Sequence, residues 1–187
     1  MSLKSWAGQQ VFRWKDWSYD ERPELWSPQQ VIVGFPHTTN LDGVRALAFL
    51  AATGRRAHVL VKQELFRPPL DGLMTWLDFI PVDRHASNDV VGQMAQRFAE
   101  DPGFSLVLAP EGTRGKDGVQ KPIRTGFWHI ARQAGVPILL MISDDRKRQI
   151  RPLARLMPTD LATDLQQIAS LYAAEGVTLQ MPVPRNP

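Results

Sequence analysis

The chain has 187 residues, enough for one domain with a buried core and too few for two ordinary ones. Its 43% hydrophobic and 22% charged content is that of a globular protein, which excludes a disordered or fibrous chain. Cysteine is absent, so disulfides, thiolate metal sites, iron–sulfur clusters and cysteine nucleophiles are excluded, and 22 Lys and Arg against 19 Asp and Glu leave a net charge of +3. That excess suits an anionic partner without choosing between nucleic acid, a phosphorylated metabolite and an anionic membrane.

The N-terminal MSLKSWAGQQ lacks the apolar stretch and cleavage site of a secretory signal. The longest apolar run, Val136–Ile142, falls far short of the ~18–20 residues of a spanning helix. The expectation is a cytoplasmic protein, either free or peripheral on the membrane.

In chain order, the first element is the least regular. Trp6, Phe12, Trp14, Trp17 and Trp26 crowd together at spacings that suit neither a strand nor a helix. A short strand around Val11–Trp17 is expected, with core and edge packing preferred to an interfacial tryptophan belt. Gln30–Phe35 (QVIVGF) is a short apolar run ended by proline and reads as a buried strand. Leu41–Thr53 reads as a helix and Ala57–Lys62 as a strand. Pro69–Leu77 is again helical, within a segment carrying Phe66, Leu70, Leu73, Met74 and Leu77 at near-helical spacing. Packing of that segment on the core is preferred to contact with acyl chains or a bilayer.

Asn88–Glu100 then reads as a helix, Ser105–Ala109 as a strand, Thr125–Ala134 as a helix, Pro137–Ser143 as a strand and Asp160–Ala174 as a helix. The run Asp145-Arg146-Lys147-Arg148, with Arg151 and Arg155, reads as a solvated face in preference to an anion site. Alternating strands and helices predict an α/β fold, a single domain with a mostly parallel central sheet flanked by helices.

Two strands run into unusual chemistry. The first leads into Pro36-His37-Thr38-Thr39-Asn40-Leu41-Asp42, the second into Pro110-Glu111-Gly112-Thr113-Arg114-Gly115-Lys116. In open α/β sheets the ligand crevice lies beyond the carboxyl ends of the strands, so both clusters belong at one edge. His37 and Asp42 are five apart, a spacing that on one continuous helix points them away from each other. They meet only if His37 precedes the helix and Asp42 lies in its first turn, with Thr39 or Asn40 as N-cap. Asp42 would then fix the imidazole tautomer and leave the other nitrogen as a base. Without a cysteine or a G-x-S-x-G serine, such a dyad suits activation of a substrate hydroxyl. The bland alternative is a turn histidine and a surface carboxylate.

In the second cluster Gly112 permits close backbone approach, Arg114 offers a planar fork for phosphate and Lys116 a point charge. Glu111 either accepts hydrogen bonds from substrate or holds the loop. The alternative is a polar turn with an incidental ion pair. A third cluster, Ile80-Pro81-Val82-Asp83-Arg84, offers another arginine.

Together these segments resemble the glycerolipid acyltransferase family, which includes the glycerol-3-phosphate and 1-acylglycerol-3-phosphate acyltransferases. The resemblance spans about residues 30–143 and keeps four blocks in order. His37–Asp42 fits H-x-x-x-x-D. Lys62-Gln63-Glu64-Leu65, Pro68, Gly72 and Ile80–Arg84 resemble the second block, Pro110–Arg114 the third and Val136-Pro137-Ile138 the fourth. Two positions depart from the pattern, Ala109 where phenylalanine is common and Arg124 where lysine is. No pair of apolar N-terminal anchoring helices is expected.

The resemblance implies a glycerol-3-phosphate acyltransferase-like fold, one domain over 1–187 with an aromatic-rich segment at 1–29. It implies that His37 is the general base and Asp42 its orienting partner. Arg84 and Arg114 would bind the acceptor's phosphate beside Gly112 and Thr113, with Glu111 at the same site. Pro137 would serve acyl-donor binding or structural support. The donor would be acyl-CoA or acyl carrier protein, with no metal and no redox cofactor. The acceptor would be a glycerol phosphate or lysophospholipid, best guessed as 1-acylglycerol 3-phosphate, met at a membrane surface.

Other classes fare worse. A metal hydrolase using His37, Asp42, Asp83 and His85 lacks helical i, i+4 ligand spacing. Gly112–Asp117 is not a P-loop, and no nucleic-acid motif accompanies the positive charge. A non-catalytic lipid- or acyl-carrier-binding module on the same fold is the competing class, and the intact His37 and Asp42 oppose it.

Overall fold

The computed structural model describes residues 2–14, 16–35, 40–82, 89–110 and 122–182. Among these residues seven strands form one sheet: β1 (Ser18–Tyr19), β2 (Gln30–Phe35), β3 (His58–Lys62), β4 (Phe79–Val82), β5 (Ser105–Leu108), β6 (Ile138–Asp144) and β7 (Gln149–Leu156). The α-helices described are α1 (Leu3–Trp14), α2 (Asn40–Ala52), α3 (Asp71–Trp76), α4 (Val90–Glu100), α5 (Gly126–Ala134) and α6 (Leu161–Ala174).

The spatial order is β1-β7-β6-β2-β5-β3-β4. β4, β3, β5, β2 and β6 are parallel, and β7 returns antiparallel to β6 with β1 beside it. β2 sits at the centre because, after the buried Gln30, its side chains are apolar on both faces, as a strand covered on both sides requires. Val31, Val33 and Phe35 face a layer built from α4, α5 and α6, where Phe98, Phe127, Ile130, Ile168 and Tyr172 are buried. Ile32 faces the other way, onto Phe12 of α1 and Ala48, Phe49 and Ala52 of α2. The period-two alternation of one strand thus serves two helical layers.

The predicted strands and helices at 30–35, 41–53, 57–62, 69–77, 88–100, 105–109, 125–134, 137–143 and 160–174 all appear, with shifts at their ends. β4 and β7 add to them. β4 is short, carries Pro81 and lies at the sheet edge, where a missing N–H is tolerated. β7 carries Pro152 beside a break in register against Leu140 and Met141, and two arginines, so its period is blurred.

The N-terminal expectation is corrected. Val11–Trp17 is not a strand: residues 3–14 form α1, and only Ser18–Tyr19 pairs with the sheet. The reason is close packing between helices. Gly8 lies against α2 so tightly that a Cβ there would sit 2.5 Å from the Ala48 carbonyl oxygen and 2.7 Å from the Ala52 nitrogen. Ser5 Oγ donates to the Ala52 carbonyl at 3.3 Å, so the two helices run antiparallel. Lys4 ties the start of α1 to the end of α3, donating to the Trp76 carbonyl at 2.6 Å and to Asp78 at 3.1 Å.

The segment after β3 also departs from expectation. α3 buries no residue, so it does not pack on the core as an ordinary amphipathic helix. None of the helices among the described residues is long and apolar enough to cross a membrane.

Gly8→Val is expected to force α1 off α2. The overpacking penalty is about 2 kcal/mol, and the thermal midpoint falls by roughly 4–8 °C. A melting curve checks this, and an unchanged midpoint would contradict the close approach.

Candidate active site

β2, β4 and β5 are parallel, so Phe35, Val82 and Leu108 end them on one edge of the sheet. Beyond these ends the chain passes into 36–39, 83–88 and 111–121. β2 lies between β5 and β6, which the chain reaches on opposite sides of it, the arrangement that opens a crevice at the carboxyl end of a central strand. His37, Arg84, Glu111, Gly112, Thr113 and Arg114 lie outside the described residues. Of the predicted site, the structure describes Asp42 and Pro137.

Asp42 lies in the first turn of α2, which begins at Asn40 just beyond the end of β2. It is only 5% exposed. A carboxylate at a helix N-terminus gains from the backbone dipole, but burial to this degree also demands close polar partners. Arg45 supplies one: its Nη1 donates to Asp42 Oδ1 at 3.0 Å. The same nitrogen donates to Asp145 Oδ1 at 3.0 Å in the turn between β6 and β7. The guanidinium lies over the Trp17 ring, its Cζ 3.7 Å from the centroid. Arg45 is therefore fixed from three sides: its own helix, the β6–β7 turn and the segment after α1.

Asp42 also lines an apolar cavity of about 50 Å³ between the sheet and α2. Phe35, Leu108, Ala46, Phe49 and Ser143 share its wall. Its volume admits only one or two water-sized groups.

Pro137 is placed elsewhere. Its carbonyl accepts from the Val31 nitrogen at 2.9 Å, at the start of β2, whereas Phe35 and Ile142 pair at the opposite end. The structure does not bring Pro137 together with Asp42, and its position suits sheet support.

The basic run 145–148 is exposed, as expected of a solvated face, and its charges are largely paired. Lys147 Nζ lies 3.6 Å from both Asp144 and Glu175, and Arg151 Nη2 lies 2.7 Å from Glu175. The Arg151 hydrogen bond holds the Glu175 carboxyl below the ordinary glutamate range, despite some desolvation. His58 is remote from the site edge. Burial pushes its pKa down, and it stacks on Phe104 with centroids 4.6 Å apart. Among the described residues, no group of three His, Asp or Glu side chains is placed to hold a metal ion.

Arg45 is the site residue that sequence reasoning passed over. Its signal was present as an Asp–Arg pair at i, i+3 on a predicted helix. Trp17 and Asp145 stood out for other reasons, and only the fold brings them to Arg45.

A family model described as Acyltransferase matches residues 20–143, more than half of the chain. A 1-acyl-sn-glycerol-3-phosphate acyltransferase of Limnanthes douglasii is 36% identical over 108 residues, 57% of this chain and 38% of the relative. A 1-acyl-sn-glycerol-3-phosphate acyltransferase alpha of Mus musculus is 29% identical over 117 residues, 61% of this chain and 40% of the relative. The chain therefore spans about two fifths of the length of these curated relatives. The crystal structure of the 1-acyl-sn-glycerophosphate (LPA) acyltransferase PlsC from Thermotoga maritima superposes with a TM-score of 0.63 at 15% identity. That superposition covers 93% of this chain and 77% of the other, and it shows a shared fold.

Arg45→Ala removes the cation from a buried carboxylate. We expect a stability loss of roughly 1.5–3 kcal/mol, with part of it restored in Arg45→Lys. Denaturant unfolding of the three proteins checks this. Equal stability of Arg45→Ala and the natural chain would contradict the role given to the pair.

Proposed function

The chain belongs to the acyltransferase family, and on that premise we propose that it transfers a fatty acyl group from a thioester donor to the hydroxyl of 1-acylglycerol 3-phosphate. The observation that carries this reading is the position of Asp42. It is a buried carboxylate in the first turn of the helix that follows the central strand, five residues after His37 and on the edge that precedes Arg84 and Glu111–Arg114. The family match at residues 20–143 includes every one of these positions.

In this reading His37 takes the proton from the acceptor hydroxyl while Asp42 accepts a hydrogen bond from the second imidazole nitrogen and fixes the tautomer. The acceptor oxygen attacks the thioester carbonyl of acyl-CoA or acyl carrier protein. The tetrahedral intermediate then collapses with loss of the thiolate, which takes the proton from His37 and leaves as the thiol. An ester bond forms and a thioester bond breaks, with no net change in protons or electrons. The donor and acceptor are the only co-substrates, and the protein supplies position and proton transfer.

Arg84 and Arg114 bind the acceptor phosphate, where planar forks suit its oxygens. Gly112 lets backbone approach, and Thr113 and Glu111 complete the acceptor's surroundings. The apolar slot beside Asp42 suits the first methylenes of an acyl group. A lysophospholipid acceptor requires access from a membrane surface.

The test measures thiol release from acyl-CoA with and without 1-acylglycerol 3-phosphate. Release should depend on the acceptor. His37→Ala should lower kcat by about 10²–10⁴-fold with little change in the acceptor KM, as loss of a general base does. Arg114→Ala should mainly raise that KM. Near-normal turnover in His37→Ala would remove it as the base. Absence of acceptor-dependent release would support a non-catalytic binding module instead.

A further inference from the structure

α1 is amphipathic in the reverse of the usual sense. The side it turns to α2 holds Gly8 and the buried Phe12. The opposite stripe, positions 3, 6, 10 and 14, carries Leu3 at 72% exposure, Trp6 at 50% and Trp14 at 79%. A helix on an ordinary water-facing surface places its large apolar residues inward. Here the smallest residue makes the close contact with the neighbouring helix, and the largest apolar residues point away from the protein.

α3 repeats the pattern. Leu70, Leu73 and Trp76 are all nearly half exposed at a spacing of three, on a helix that buries nothing. The two elements belong to one surface. Lys4 Nζ lies over the Trp76 ring, 4.8 Å from its centroid, and donates to the Trp76 carbonyl. Between α1 and α3 runs a groove of about 270 Å³ floored by Val44 and Leu47 of α2 and walled by Ala7, Val11, Trp76 and Leu77.

The exposed cations Arg13 and Arg67, with Lys4 and Arg56 that both pair with Asp78, outnumber the carboxylates Asp71 and Asp78 here, a balance that suits an anionic partner. α1 carries Lys4 and Arg13 and no carboxylate along its whole length. Arg13 is exposed beside Trp14, and Arg67 is exposed just before α3. Tryptophan together with cations flanking an apolar stripe is the composition of a helix lying in the headgroup region of a bilayer.

The surface also has a position relative to the site. Ser5 meets Ala52 and Gly8 meets Ala48, so the antiparallel pairing carries the Trp14 end of α1 toward the Asp42 end of α2. Val44, two residues beyond Asp42, is itself exposed on the groove floor.

We propose that the outer stripe of α1 and the exposed side of α3 together form a docking surface for an anionic phospholipid bilayer, with Trp6, Trp14 and Trp76 seated among the headgroups. This deepens the functional reading and rests on it for its purpose: a surface docked in this way brings the Asp42 end of α2 to the layer that holds a lysophospholipid acceptor. It takes up Trp6, Trp14, Leu70 and Leu73, for which core packing is the expectation from sequence and which are all exposed. Trp17 and Trp26 stay with the core, where Trp17 meets Arg45 and Trp26 stacks on Phe49.

The experiment uses the full chain and vesicle flotation. Vesicles of phosphatidylcholine alone are compared with an equal mixture of phosphatidylcholine and phosphatidylglycerol, at low and high salt. The natural chain should float with the anionic vesicles, less so at high salt, and its tryptophan emission should be quenched by lipids brominated near the headgroup. Trp6→Gln with Trp14→Gln should weaken this binding by about tenfold or more, and Leu73→Gln with Trp76→Gln should do the same. All four positions are exposed, so the melting midpoint should stay near that of the natural chain.

Turnover of a short-chain, water-soluble 1-acylglycerol 3-phosphate separates the two readings. The variants should process it at the natural rate, because no bilayer is involved. If the natural chain fails on that acceptor, the functional reading falls, while flotation still decides the surface. The docking surface is overturned if the natural chain does not float, or if both double variants float unchanged. It is also overturned if the stripe proves to join two copies of the chain, seen as a dimer by light scattering that the substitutions disperse.

Discussion

A carboxylate buried at the first turn of a helix has to be held by its neighbours, and much of this chain is arranged to hold one. Asp42 is placed by β2, which ends just before α2 begins, and is clamped by Arg45 at 3.0 Å. Arg45 in turn is anchored by Asp145 and by the face of Trp17. Those two residues come from the β6–β7 turn and from the segment after α1, so three separate parts of the chain converge on one guanidinium. Breaking a buried pair by removing a single partner costs far more than a surface ion pair does. The geometry at the carboxyl edge of the sheet therefore depends on the N-terminal segment being docked, although that segment contributes none of the predicted catalytic residues.

The docking of α1 has a second consequence. Gly8 allows α1 to lie close on α2, so the helix needs little apolar surface to stay there. Its large apolar residues are left for the outside. The same division runs through the tryptophans of the N-terminal region. Trp17 and Trp26 are used inside the fold, against Arg45 and Phe49, whereas Trp6 and Trp14 face outward. One short stretch of sequence thus serves both the clamp on Asp42 and the surface proposed to meet lipid.

Much of the sheet was legible in the sequence, because buried parallel strands read as short apolar runs, two of them ended by proline. Gln30–Phe35 is the clearest case, and the structure gives it the same bounds. β7 was not legible, since Arg151, Pro152 and Arg155 interrupt its pattern, and its pairing is a property of the partner strand β6. α1 was misread because helical periodicity is sought in apolar residues facing inward. Here the inward contact is made by a glycine, which carries no hydrophobic signal. Of the candidate site, Asp42 lies in the first turn of α2, where the five-residue spacing requires it for contact with His37, which itself lies outside the described residues. Arg45 was missed as a site residue because its role comes from partners 28 positions before it and 100 positions after it in the chain. Pro137 shows the reverse: a motif position that the fold sets at the far end of the sheet.

The most direct measurement is the identity of the lipid product. The purified chain would be incubated with acyl-CoA carrying an isotopically labelled acyl group and with unlabelled 1-acylglycerol 3-phosphate, and the lipids resolved by mass spectrometry. The expected result is a diacylglycerol phosphate bearing one labelled chain, formed in equal amount to the thiol released. Labelled free fatty acid in that amount, with the acceptor unchanged, would mean that water and not the acceptor hydroxyl attacks the thioester, and would contradict acyl transfer.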